Sequence, residues 1–179
     1  MKPIVSEKDF PTANKFVYLN AANVALMYSG AEHIITEWIA DVAQNGSNNF
    51  DDHAEENVFK DLHRAAAHLI NATADDIAAG SSATELLCSL AWAVYPEKDQ
   101  NVVSTEIIFP STVYPWQRVA NSTGCEIRLA KEKSNFIHTD DIIALIDQNT
   151  AVVCISHVEY GNGQTFDLQL LAEAAQDHD

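Results

Sequence analysis

Alternation between short apolar segments and amphipathic segments constrains the fold of this sequence most strongly, and it begins near residue 75. Four stretches rich in Val, Ile and Ala have the length of strands, and each is followed by apolar residues at helical spacing. The predicted strands and helices alternate as 77–80, 84–94, 102–108, 112–120, 126–130, 139–146, 151–156 and 167–176. Repeated strand–helix units predict an α/β fold with a partial doubly wound, mostly parallel sheet and flanking helices.

The first part of the chain lacks this alternation. It contains one short strand candidate at 16–19 and then apolar residues at helical spacing from Ala31 to Val42. Asn45-Gly46 is expected to end that helix, and a second amphipathic helix is expected over 58–70. We therefore predict an N-terminal segment over residues 1–48 and the first part of a larger domain over residues 49–179.

The charge and the cysteines of the chain exclude several classes of function. With 10 Lys and Arg against 26 Asp and Glu, the formal net charge is −16, which argues against binding to nucleic acid or to an anionic membrane. No apolar stretch is long enough to span a bilayer, and the N-terminus lacks a secretory signal. Cys88, Cys125 and Cys154 lie far apart, which predicts reduced thiols and a cytoplasmic protein. No His or Cys pair has the spacing of metal ligands, so no metal site is predicted.

The exit of the first predicted strand, GSSATELL, has two interpretations. Ligands of doubly wound sheets bind beyond the carboxyl ends of the strands, and free N–H groups in the first turn of a helix favour an anion. Ser82, Ala83 and Thr84 would form that turn and could hold a phosphate, although the lysine of a P-loop is missing. The same residues also fit a plain capping box, with Ser82 at the N-cap and Glu85 three residues later.

The exits of the second and fourth predicted strands are also unusual. The second exit, FPSTVYPW, places Phe109 where it could stack on a flat ring, or where it could pack together with Tyr114 and Trp116. The fourth exit, SHVEYGNGQ, offers several side chains that form hydrogen bonds, or it could be only a glycine-rich turn. Neither exit decides between these alternatives by itself.

Together the motifs resemble one family. The segments FVYLNAANVAL, SSATELL, EIIFPSTVYPW and SHVEYGNGQTFDLQLLAEAAQDH occur in the order found in the N-terminal half of class V aminotransferases. These enzymes belong to the pyridoxal-phosphate (PLP) dependent transferases of fold type I, a group that includes cysteine desulfurases, kynureninase and isopenicillin N epimerase. The resemblance implies the large domain of that fold, an amino-acid-like substrate and a homodimer in the full-length enzyme.

The resemblance also implies a cofactor site. Ala83 and Thr84 would bind the phosphate of PLP, Phe109 would stack on its pyridine ring, and Thr112 and Tyr160 would lie near the polar edge of the ring. The FPS sequence that begins at Phe109 and the segment that begins at Tyr160 favour members related to aminotransferases, kynureninase or epimerases over desulfurases.

Two residues that the family needs for catalysis have no match in this chain. The aspartate that pairs with the pyridinium nitrogen would lie just beyond Asp179, and the Schiff-base lysine would lie further on. None of the lysines matches its context; they are Lys2, Lys8, Lys15, Lys60, Lys98, Lys131 and Lys133. We therefore predict no catalytic residue here and expect the N-terminal part of a longer enzyme, inactive alone. The alternative is a non-catalytic, acidic α/β module that binds a phosphate or a partner.

The resemblance finally implies how the strands pair. The second predicted strand should lie between the third and the fourth. The first, at 77–80, should lack its neighbour, because in the family that neighbour comes from a later part of the chain. The fourth, at 151–156, should form an open apolar edge.

Overall fold

A computed structural model of the chain describes residues 6–178, which contain seven α-helices and three β-strands. The chain divides between Ala79 and Gly80 into two compact units. The division predicted at residue 48/49 concerned roles in a complete enzyme, and it stays a prediction. None of the described helices is both long enough and apolar enough to cross a membrane.

The first unit consists of helices and turns. Its α-helices and 3-10 helices are α1 (Ser29–Asn45), α2 (Asp52–Asn57), α3 (Lys60–Ile70), Glu7–Asp9, Pro11–Asn14 and Ala74–Asp76. Gly46 ends α1 as predicted, with a φ of 61° that glycine adopts without strain. The helix predicted over 58–70 is α3, which begins only at Lys60. Asp51 caps the preceding helix, α2, by accepting a hydrogen bond from the N–H of Ala54 at 2.9 Å. Among the described residues of this unit, Ala67 alone is buried.

The strand predicted at 16–19 is wrong. These residues form no ladder, and the N–H of Phe16 instead donates to the carbonyl of Thr12 in a local turn. A strand needs a partner strand for its backbone groups, and the described part of this unit contains none.

The second unit contains the sheet. Its elements are α4 (Ala83–Val94), β1 (Asn101–Thr105), α5 (Pro110–Thr123), β2 (Glu126–Ala130), α6 (Thr139–Ile143), β3 (Thr150–Val153) and α7 (Leu168–Gln176). The strand order is β2-β1-β3 and both pairs are parallel. The second predicted strand thus lies between the third and the fourth, as expected. The strand predicted at 77–80 does not form, because no described strand lies beside it to accept its hydrogen bonds.

Two apolar clusters cover opposite faces of this sheet. Val102 packs with Ala91 of α4 and with Trp116 and Val119 of α5. Its neighbour Val103 packs with residues of α6, α7 and the adjoining loops, because successive side chains of a strand point to opposite faces. Helices therefore cover both faces of the sheet, which is the doubly wound arrangement.

A polar network closes the sheet at the amino ends of β1 and β3. Asp147 accepts from Arg128 Nη1 at 2.7 Å and from Asn101 Nδ2 at 2.9 Å. Thr150 Oγ1 donates to Asn101 Oδ1 at 2.9 Å, and Asn101 itself is buried. The bond from Arg128, followed by donors that include the N–H of Asn149, lowers the pKa of Asp147 to about 2.

Candidate functional site

The start of α4 shows half of the predicted capping box. Ser82 is the N-cap, and its hydroxyl accepts from the N–H of Glu85 at 3.2 Å. The Glu85 carboxylate does not return to the N–H of Ser82. It accepts instead from the N–H of Ser81 at 2.8 Å and from the Ser81 hydroxyl at 2.6 Å. These bonds hold the pKa of Glu85 below its usual value, so a compensated negative charge lies beside the start of the helix.

The capping arrangement leaves donors for a ligand. No acceptor within residues 6–178 receives the N–H of Ala83 or Thr84, and both residues are exposed. The N–H groups of a first turn, together with the helix dipole, attract an anion. Capping by Ser82 and anion binding by Ala83 and Thr84 are therefore compatible, and the two interpretations of GSSATELL do not exclude each other.

Three of the predicted site residues meet at the carboxyl edge of the sheet. Phe109 is the N-cap residue of α5 and precedes Pro110 at the first helical position, where proline is favoured. The rings of Phe109 and Tyr160 contact edge to face, with centroids 5.1 Å apart and planes at 87°. The N–H of Thr112 donates to the carbonyl of Phe109 at 2.9 Å. The second and fourth strand exits therefore converge on one aromatic pair.

The aromatic residues of the second exit have different fates. Trp116 is 1% exposed and packs against the sheet, as one interpretation of the motif expected. The other two do not pack in this way, since Phe109 is 50% exposed and Tyr114 is 61% exposed. Tyr160 of the fourth exit is 61% exposed as well, so the rings of Phe109 and Tyr160 are free to contact a ligand.

The structure does not join Ala83 or Thr84 to this aromatic pair directly, since no hydrogen bond among the described residues links them. Ala91, late in α4, packs in the same apolar cluster as Val102 of β1, so α4 covers one face of the sheet that carries the aromatic pair.

One buried polar pair beside the site was missed by the sequence analysis. Thr105, the last residue of β1, donates its hydroxyl hydrogen to Glu159 Oε1 at 3.1 Å, and both residues are 1% exposed. Burial raises the pKa of the Glu159 carboxyl, while the bond from Thr105 acts in the opposite direction. The available signal was a lone acid directly before Tyr160 in the fourth exit, where adjacent side chains point to opposite sides.

Comparison with known proteins identifies the family. The model of the family "Aminotransferase class-V" matches residues 24–179. The chain belongs to the class V aminotransferases. It is 32% identical to a kynureninase of Geobacillus thermodenitrificans over 116 residues, which cover 61% of this chain and 27% of the relative. It is 27% identical to a probable cysteine desulfurase of Ureaplasma parvum over 149 residues, which cover 80% of this chain and 37% of the relative.

Solved structures show the same fold. A mutant of C-DES with glycine covalently linked to its PLP cofactor superposes on 98% of this chain with a TM-score of 0.83, at 17% identity and 46% coverage of C-DES. The apo cysteine desulfurase of Thermococcus onnurineus superposes on 96% of this chain with a TM-score of 0.77, at 18% identity and 44% coverage of that chain. The predicted family is confirmed, and the superpositions confirm the predicted α/β fold of fold type I. The chain spans less than half the length of these relatives.

Proposed function

We propose that these residues form the cofactor-binding N-terminal portion of a PLP-dependent enzyme that acts on an amino acid or a related amine. The observation that carries the proposal is the exposed pair of Phe109 and Tyr160, which two separate strand exits bring together at the carboxyl edge of the sheet. Membership of the class V aminotransferases supports it. When bound, PLP supplies the electron sink for reactions at the α-carbon of an amino acid.

Each of the chain's own residues has a proposed role. The N–H groups of Ala83 and Thr84 and the Thr84 hydroxyl bind the phosphate, because they are exposed at the start of a 12-residue helix. Phe109 covers one face of the pyridine ring, and Thr112 and Tyr160 line its polar edge. Catalysis additionally requires a lysine and an aspartate that no residue of this chain matches, so we propose that these 179 residues are inactive alone.

A binding experiment tests the phosphate and ring assignments separately. PLP and pyridoxal, which lacks the phosphate, are titrated by calorimetry into the complete natural polypeptide that carries these residues. Thr84→Val should weaken the binding of PLP by about tenfold or more and leave the binding of pyridoxal unchanged, because only PLP offers a charged acceptor to the hydroxyl. Phe109→Ala should weaken both ligands by about twofold to tenfold, because the ring face is common to them.

Tyr114→Ala is the matched control. Tyr114 lies on α5, the helix that Phe109 caps, and it is as exposed as Tyr160. It has no proposed contact with the cofactor, so its loss should change neither the PLP nor the pyridoxal affinity. An equal loss of PLP and pyridoxal affinity in Thr84→Val would contradict the phosphate assignment. A wild-type polypeptide that binds neither ligand would favour the alternative of a non-catalytic phosphate-binding or interaction module.

The proposed reaction class rests on the FPS motif that begins at Phe109 and on the segment that begins at Tyr160. We propose a kynureninase-like, aminotransferase-like or epimerase-like reaction, and the kynureninase relative supports this choice. The test compares L-kynurenine, L-cysteine and a panel of other amino acids as substrates of the PLP-loaded polypeptide. Turnover of L-cysteine alone would favour desulfurase chemistry and contradict the proposal.

The assembly and the location are also proposals. The exposed apolar residues of α1, among them Ile34 and Trp38, support a homodimer of the enzyme, which light scattering after gel filtration would reveal. All three cysteines are free, which supports a cytoplasmic location. Fractionation of cells that express the tagged polypeptide tests this.

A further inference from the structure

We propose that Glu159 is a positioning residue that sets Tyr160 against Phe109 through its bond to Thr105. This inference rests on the proposed function, because Phe109 and Tyr160 are the residues assigned to the cofactor ring. Glu159 itself touches no cofactor in this assignment. The Glu159 side chain is buried, whereas the next residue, Tyr160, is exposed.

The bond between Thr105 and Glu159 lies close to both aromatic residues along the chain. Thr105 is the last residue of β1, four positions before Phe109, and Glu159 immediately precedes Tyr160. The hydrogen bond of 3.1 Å between them therefore ties together the bases of the two segments whose rings meet at 5.1 Å. Loss of this bond is therefore expected to change the separation of those two segments.

Main-chain hydrogen bonds fix the turn that contains Glu159. The N–H of Glu159 donates to the carbonyl of Gln164 at 2.8 Å, and the N–H of Gly163 donates back to the carbonyl of Glu159 at 2.9 Å. Val158 and Thr165 form an isolated antiparallel bridge just outside these bonds. Glu159 is thus fixed by its main chain within the turn and by its side chain to β1, so the turn transmits its position to Tyr160.

The other side-chain anchors of the turn hold a different part of it. The Asn162 side chain donates to the carbonyl of Asn135 and the Gln164 side chain exchanges hydrogen bonds with Ile137, so both hold the returning limb of the turn to the loop after β2. Within residues 6–178, Glu159 provides the side-chain bond between the limb that bears Tyr160 and the strand that leads to Phe109.

The burial of the acid is consistent with this role. Glu159 Oε2 is buried and has no hydrogen-bond partner among the described residues. An ionised carboxylate in this position would be costly, and burial favours the protonated form. Its enclosure and its bond from Thr105 suit Glu159 to holding the turn in place.

The test reads the aromatic contact without any cofactor. Ring-labelled tyrosine restricts the NMR spectrum to tyrosine signals, five of which come from residues 1–179, and Tyr160→Phe identifies the signal of Tyr160. Phe109→Leu shows how far that signal moves when the neighbouring ring is removed. Thr105→Val, which removes the hydroxyl at nearly constant volume, should move the Tyr160 signal most of the way to the Phe109→Leu position.

Ser104→Ala is the matched control. Ser104 is also fully buried in β1, and its hydroxyl donates to the carbonyl of Cys154 at 2.7 Å, so it too links β1 to the chain that leaves β3. It does not reach the turn of Glu159. Ser104→Ala should lower stability as Thr105→Val does and leave the Tyr160 signal in place.

Glu159→Gln keeps an acceptor for Thr105, so the Tyr160 signal should stay at its wild-type position. The inference is overturned if Thr105→Val leaves the Tyr160 signal unchanged, or if the signal shifts toward the Phe109→Leu position in a folded Glu159→Gln variant.

The PLP titration separates this inference from the proposed function. If both hold, Thr105→Val raises the dissociation constant of PLP by about fivefold to tenfold, and Ser104→Ala does not change it. If the wild-type polypeptide does not bind PLP but the Tyr160 signal responds to Thr105→Val, the positioning role stands and the proposed function fails. If PLP binds and neither its affinity nor the signal responds, the positioning role alone fails.

Discussion

Helix α1 and strand β1 show how differently the two compact units use their apolar residues. The 17 residues of α1 include a regular apolar stripe, yet none of them is buried. The five residues of β1 are all buried, although only two of them, Val102 and Val103, are large and apolar. Regular periodicity in a sequence therefore predicts the type of an element, but it does not show that anything covers the element.

The difference arises from the neighbours of each element. β1 has a parallel strand on each side and a helical layer on each face, so even Asn101, Ser104 and Thr105 are enclosed and form hydrogen bonds. Within the described residues of the first unit there is no sheet to provide such a layer. The second unit therefore contains the core on which the candidate site is built.

The largest effect is expected from the same substitution made in both units. Ile142 in α6 is fully buried, and Ile142→Ala should lower the free energy of unfolding by about 2 to 5 kcal/mol, because it leaves a cavity. Ile34 in α1 is 63% exposed in the single chain, and Ile34→Ala should cost less than about 0.5 kcal/mol at concentrations low enough to keep the polypeptide monomeric. Urea unfolding followed by circular dichroism measures both values. Equal costs would show that the stripe of α1 is covered in solution, which would remove the contrast between the units.

The next effect is a dependence of the second unit on pH. The folded pKa of Asp147 is about 2, and that of an unfolded aspartate is about 3.9. Because the folded value is the lower one, the ionised form stabilises the fold fully above about pH 5, and this stabilisation is lost as the pH falls toward 2. The difference in urea midpoint between wild type and Asp147→Asn should therefore shrink between pH 5 and pH 2. A difference that stays constant over this range would mean that the charge on Asp147 does not stabilise the sheet.

Much of the second unit could be predicted from the sequence, for reasons that its strands make clear. β1, β2 and β3 each begin within one residue of a predicted strand, because the apolar residues that pack against the helices lie in these stretches. The segment 77–80 has the same local character and forms no strand, because strand formation also needs a neighbour to complete the ladder. A local sequence pattern therefore indicates which segment could form a strand, but it does not show whether a neighbouring strand is present to pair with it.

The candidate site divides in the same way. Phe109 and Tyr160 could be proposed from motifs, since each stands at a strand exit with a recognisable sequence. The bond between Thr105 and Glu159 could not, because it joins residues that are distant in the chain and depends on the register and depth of the fourth exit. A pairing of this kind follows from the fold and is not encoded by spacing.

A smaller effect is expected from the loss of a helix cap in each unit. Ser82 caps α4, whose Ala91 is buried, whereas Asp51 caps α2, which has no buried residue. Ser82→Ala should lower the free energy of unfolding by about 1 kcal/mol, because α4 must form for the core to close. Asp51→Ala should reduce helix content slightly without changing the main transition, since α2 can fray independently. Similar shifts of the main transition in both variants would show that the units unfold as one.

The smallest effect should be shared by both units, because their surfaces are alike. Lys133 pairs with Asp141 at 2.7 Å in the second unit and Arg64 pairs with Asp61 in the first, and both cationic side chains are more than half exposed. Water and salt screen such pairs, so Lys133→Ala and Arg64→Ala should each change stability by less than about 1 kcal/mol, and less still in 1 M NaCl. Urea midpoints at low and high salt measure this. A clearly larger cost for Lys133→Ala would extend the contrast between the units from the core to the surface, because it would mean that the loop after β2 depends on this pair for its position.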